Sequence, residues 1–187
     1  ERYKAHVISH PFETHAKQWN WAFQNLPLGD EWILALDADQ RLTCELRREI
    51  QNTLGNSTEG VDGYYIKRRQ IFQGRWIRHG GYYPKYLLKL VRRGKVYCDE
   101  KELLDCHFYV PGRTAKLHSD LIEDNQKDND LNVWKAKHAR YAQIQAKEEF
   151  LRRRNGTVWS IQPSPWGTPD ERTLWLKSLW YRMPLFV

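Results

Sequence analysis

The stretch Glu31-Trp32-Ile33-Leu34-Ala35-Leu36-Asp37-Ala38-Asp39-Gln40 decides how the chain reads. Trp32 to Leu36 are consecutively apolar, the length of a strand buried on both faces in a parallel or mixed sheet. The run ends on two carboxylates spaced i, i+2. In open α/β sheets, ligand sites lie at the carboxyl ends of strands, where rigid backbone holds side chains at the solvent edge. Two carboxylates there suit a hard divalent cation, Mg²⁺ or Mn²⁺, which takes a few protein oxygens and completes its shell with phosphate. The plain alternative is that Asp37 begins a turn and Asp39 caps a neighbouring group. Both readings stay open on this stretch alone.

Working outward, residues 6–9 are apolar enough for a short strand that Pro11 ends. Ala16, Trp19, Ala22, Phe23 and Leu26 then recur at helical spacing, and Pro27 and Gly29 close that helix before Trp32. Strand, helix, strand predicts a βαβ unit with a right-handed crossover. Beyond the acidic pair, Thr43 is a good N-cap, Leu46, Ile50 and Leu54 share a face, and Gly55 is a stop. Residues 63–72 and 86–91 read as strands, joined by a Gly- and aromatic-rich connection from Gly74 to Pro84. A short strand is expected at 115–117, after the Pro111-Gly112 turn. The acidic run 120–130 leads into a long helix over 131–154, stopped by Asn155-Gly156. After a Pro-containing linker, Thr168-Pro169-Asp170-Glu171 starts a last helix: N-cap, N1 proline and the Glu of a capping box. Its Trp and Leu residues, interleaved with Lys177 and Arg182, suit a helix lying on a bilayer or packed on the core or another subunit.

With 187 residues and 41% hydrophobic content, the chain can bury one real core. No apolar run approaches the ~20 residues of a membrane span. Beginning at Glu1, with its single Met at 183, the chain reads as a segment of a longer protein. Three cysteines, Cys44, Cys98 and Cys106, form no Cys-x-x-Cys pair, which argues against a disulfide framework and for a reducing compartment. A net charge of +7 invites an anionic partner. Nine tryptophans and the lack of any RNP, KH or zinc-finger pattern turn that away from nucleic acid and towards nucleotide diphosphate, lipid phosphate or bilayer.

The βαβ followed by Leu36-Asp37-Ala38-Asp39-Gln40, the Gly74-Arg75-Trp76 connection, the Lys89-Leu90-Val91-Arg92-Arg93-Gly94 turn and the acidic stretch before a helix carry a resemblance. From about His6 to Tyr141, and more loosely into the Trp-rich tail, the chain resembles bacterial family 2 glycosyltransferases of the GT-A fold that assemble lipopolysaccharide and exopolysaccharide. The resemblance implies an α/β, Rossmann-like mixed sheet flanked by helices, incomplete at its N-terminus, with a C-terminal amphipathic helix. Residues 1–157 would be a partial GT-A domain carrying the metal, diphosphate and acceptor half. Residues 158–187 would be a Trp-rich linker and a membrane-facing helix.

The resemblance also implies an inverting glycosyltransferase, moving a sugar from a nucleotide-sugar to a lipid-linked or saccharide acceptor in cell-surface polysaccharide synthesis. It would work in the cytoplasm, peripheral to the inner face of the membrane. Asp37 and Asp39 match the family's Asp-x-Asp motif, which holds Mn²⁺ or Mg²⁺ on the donor diphosphate. Many relatives have Glu where this chain has Gln40. A further metal ligand, often His in such enzymes, falls near Glu123 and Asp124, with His118 close by. The family's base lies six residues before a turn glycine. Counting back from Gly112 gives Cys106 with Asp105 beside it, and Asp105 is the better proton acceptor. Asp105 could equally be a strand-end acid paired with Arg or Lys, and His118 a surface residue. Arg75, Trp76, Arg78 and His79 are expected to shape the donor and acceptor pocket, with Asp37 at its edge; a solvated loop is the alternative. A thiol at 106 and Gln40 support a second hypothesis, a catalytically impaired GT-A-like binding or scaffold protein.

Overall fold

The computed structural model describes residues 5–27, 29–56, 58–104, 106–155, 161–180 and 183. Its centre is β3 (Val61–Phe72), a 12-residue strand rich in Tyr and Ile. Alternation sends Tyr64 and Ile66 to one face and Tyr65 to the other. On one side β3 pairs antiparallel with β5 (Lys85–Arg92), on the other parallel with β8 (Arg113–Asp124). The six-stranded mixed sheet runs β1 (Trp32–Leu34), β5, β3, β8, β2 (Gln40–Leu42), with β4 (Arg75–Trp76) folded back on β3. Gln73 and Gly74 both have positive φ, 49° and 72°, the backbone a tight two-residue hairpin requires.

Helices cover both faces. Leu46 and Ile50 of α2 (Cys44–Gly55) pack on Tyr64, Ile66, Leu90 and Leu121. Thr43 caps α2 as its sequence suggests, its hydroxyl accepting from the Leu46 amide. Ala16, Trp19 and Phe23 of α1 (His15–Asn25) cover the opposite face, against Ala35, Leu88, Val91 and Phe108. A small hairpin, β6 (Tyr97–Cys98) and β7 (Phe108–Tyr109), lies beside α1. α3 (Leu131–Asn155) sets Trp134 against Phe72. α4 (Pro169–Trp180) opens with the reciprocal capping box: the Thr168 amide donates to the Glu171 carboxylate, and the Glu171 amide to the Thr168 hydroxyl.

Three expectations change. Residues 6–9 form no strand; Val7 and Ile8 are exposed with no ladder to join, so no βαβ unit occurs among the described residues. β1 is antiparallel to β5 and stands at the edge of the described sheet, rather than inside a parallel one. β8 is far longer than 115–117. Its acidic end is strand because Lys67, Arg68 and Arg69 of β3 neutralise it: Lys67 to Asp120 is 3.7 Å, Arg68 to Glu123 is 3.0 Å, and Arg69 also reaches Asp120.

Candidate functional site

Asp37 to Gln40 form a turn between β1 and β2, closed by the Gln40 amide donating to the Asp37 carbonyl at 2.9 Å. Gln40 also lies directly across the ladder from Glu123. Its side-chain amide donates to the Glu123 carboxylate at 2.8 Å, while its side-chain oxygen accepts from the Asp37 amide at 3.1 Å. A Glu at position 40 would set two carboxylates opposite each other, so the amide has a local reason to be there.

A cavity of about 430 Å³ opens beside this turn, lined by Asp37, Asp39, Gln40, Arg68, Lys89 and Glu123, with Cys106, His107 and Asp170 on its wall. Residues some 50 to 130 positions apart in sequence therefore share one space. Lys89 is the extra residue of a β-bulge: Tyr64 faces Leu90 and the next residue, Tyr65, faces Leu88. Its ammonium is nearly buried and donates to Asp37 at 2.8 Å. Arg68 holds Glu123 from the neighbouring strand. Burial pushes the Asp39 carboxyl above its ordinary range, and the like charges of Glu123 and Asp37 push the same way.

A second cavity, of about 560 Å³, shares Arg68, Gln70, Lys85, Glu123, Asp128, Lys137 and Tyr141 with the first. Phe72, Tyr82, Trp134 and His138 also line it, with Gly80 and Gly81 at its rim. Both glycines adopt positive φ, 67° and 78°, which lets the connection turn tightly there. The two spaces form a trough with an acidic and cationic end and an aromatic end.

The residues singled out in sequence fare differently. Asp37, Asp39, Glu123 and Cys106 come together at the first cavity. Asp105 lies outside the described residues. Cys106 pairs with Cys98 in a disulfide, Cα atoms 6.1 Å apart, which corrects the expectation of unpaired cysteines: the β6–β7 hairpin brings the two together. Asp124 turns aside, its side chain 3.7 Å from Arg41 while its amide donates to the Asp39 carbonyl. His118 is exposed at the α2 side, where its amide and that of Ser119 donate to Glu49. Arg75, Trp76, Arg78 and His79 line neither cavity. Trp76 instead has the Arg69 and Arg78 guanidiniums against its ring, at 4.4 and 4.3 Å from the centroid, and an edge contact with Tyr83.

Sequence reading missed Lys89, Arg68, Lys137, Tyr82, Trp134 and Asp170. Lys89 did leave a signal, a lone cation inside Leu87-Leu88-Lys89-Leu90-Val91. Asp170 left none, because its place depends on α4 folding back so that the Tyr65 hydroxyl donates to it at 2.7 Å.

Among the described residues, no three His, Cys, Asp or Glu side chains converge as a metal's ligands would. A divalent cation would have to take Asp37 from Lys89, and Glu123 from Arg68 and Gln40. The donor set as arranged fits a metal poorly, and no step below is routed through one. No protein-family model matches the chain, and no solved structure matches it either.

Proposed function

We propose that the chain is a GT-A-like glycosyltransferase domain that moves a sugar from a nucleotide-sugar to a lipid-linked or saccharide acceptor, with inversion. One observation carries the reading. The acidic turn Asp37 to Gln40 and the distant Glu123 meet at a cavity that continues into an aromatic-lined one. A nucleotide diphosphate suits the charged end. Trp134, Tyr82 and Phe72 offer apolar faces of the kind on which sugar rings stack. The exposed Trp166, Leu176 and Trp180 near and on α4, in a basic chain, fit work at a membrane surface carrying a lipid-linked acceptor. No described helix is long and apolar enough to cross a membrane.

A binding role without turnover is the second reading. It is favoured by Cys106, which stands where the resemblance places a base and is tied to Cys98. Calorimetric titration of UDP and GDP, with and without Mn²⁺, on the chain and on Asp39→Ala tests the first reading. Nucleotide binding weakened by Asp39→Ala supports it. A folded protein that binds neither nucleotide in either condition removes the UDP- and GDP-sugar versions and promotes the binding role.

A further inference from the structure

Beside its ion pair with Asp37, the Lys89 ammonium lies 5.2 Å from the centroid of the Phe108 ring, which lines the same cavity. A lysine is seldom buried, and Lys89 is placed by a bulge that aims one extra side chain of β5 at the cavity wall. Its contact with Asp37 uses one of three ammonium hydrogens. Arg68 donates to Glu123 through one terminal nitrogen, while its buried Nε has no protein partner. Arg68 also stands directly across the ladder from Lys85. Both side chains line both cavities. An anion with several oxygens can draw on both Lys89 and Arg68 from the one cavity they line.

We infer that Lys89 and Arg68, with Lys85 beside them, form a built-in cationic clamp for the diphosphate of the donor, supplying the positive charge expected of a metal. The inference rests on the nucleotide-sugar reading. In the transfer, the bond from the anomeric carbon to the diphosphate oxygen breaks and its electron pair stays on that oxygen. The acceptor hydroxyl oxygen bonds to the same carbon from the opposite face, and its proton passes to a carboxylate base. Charge therefore grows on the diphosphate as the bond breaks. Fixed ammonium and guanidinium donors stabilise that charge more in the transition state than before it. Asp37 and Glu123 are the carboxylates these two cations hold until the diphosphate competes for them.

Inorganic pyrophosphate is the probe, because it carries the clamped group without a base or sugar. Isothermal titration in EDTA should show binding that weakens as salt rises. Lys89→Met and Arg68→Met should each weaken it about tenfold or more, the loss of one charge-assisted contact, while Lys89→Arg keeps most of it. Should Lys89→Met melt early, Asp37→Asn decides instead: it frees the ammonium of its carboxylate, and pyrophosphate should bind several-fold tighter. Pyrophosphate bound through Lys89, with no gain from UDP or GDP, supports the clamp and counts against those two donors. Binding that requires Mn²⁺ and ignores Lys89→Met overturns the clamp and leaves the nucleotide reading standing. No binding of pyrophosphate, UDP or GDP in either condition by folded protein overturns both.

Discussion

The anchor of α4 offers the sharpest test of how the cavity wall is held. Asp170 is the second residue of that helix, and the Tyr65 hydroxyl of the central strand donates to its carboxylate at 2.7 Å. Burial pushes the Asp170 carboxyl above its ordinary range. His107, the Tyr65 hydrogen bond and Lys85 pull it back, and Glu102 adds to the rise. Folded Asp170 thus holds its proton to higher pH than the unfolded chain, whose aspartates titrate at about 3.9. The native state binds more protons through that window. Asp170's contribution is therefore fully present below the unfolded value and is lost as pH rises through the folded one. Tyr65→Phe removes the donor that favours the carboxylate. At neutral pH it leaves a largely buried charge short of a partner, a cost of about 1–3 kcal/mol, or roughly 2–12 °C in Tm for a domain of this size. Urea unfolding at about pH 5 and about pH 7.5 measures it. The cost should be larger at the higher pH, and Asp170→Asn, which keeps an acceptor without the charge, should be tolerated there. Equal cost at both values, or an Asn variant as damaged as Asp170→Ala, would refute this account of the anchor.

Other perturbations test the same frame. Asp39→Asn relieves a half-buried carboxylate crowded by Glu123 and Asp37, so it should raise Tm slightly while weakening only nucleotide binding that depends on Mn²⁺. Gln40→Glu places a carboxylate across from Glu123 and should cost about 1 kcal/mol in urea unfolding, less at acid pH where one of the pair takes a proton. Thr168→Ala removes the N-cap of α4 and should cost about 1 kcal/mol by the same assay, with the Glu171 side of the capping box left intact.

Helices were the legible part of the sequence because their signals are local. Thr43 before Leu46 and Ile50, and Thr168-Pro169 before Glu171, each state a helix start within four residues, and both stand in the structure. The strands 63–72 and 86–91 were legible for the same reason, as aromatic and β-branched runs. Where pairing across the sheet decides, sequence fell short. The end of β8 read as a polar lead-in because Asp120, Glu123 and Asp124 hide its alternation. Only the adjacent Lys67-Arg68-Arg69 makes that run a strand, and the two stretches lie about 50 residues apart. Residues 6–9 had strand composition but no neighbour to pair with. Trp76 and Arg78 read as a binding surface, yet both Arg69 and Arg78 stack against the Trp76 ring.

The acidic motif carries the same lesson into chemistry. Two aspartates at the end of an apolar run specify negative charge, but what neutralises that charge is chosen across the ladder. Lys89 lies 52 residues from Asp37, and Arg68 lies 55 from Glu123. Each pair removes a ligand that a metal would need. Each also fixes a cation that lines the cavity, one of them a nearly buried ammonium. Replacing a merely structural pair with apolar residues would leave any anion affinity as it was. A clamp would lose its anion by the same change. Replacing Lys89 with Met and Asp37 with Leu together therefore separates the two roles: a structural pair predicts that pyrophosphate affinity is unchanged. The clamp predicts that the affinity falls whatever the stability does, and calorimetry on the double variant reads that difference directly.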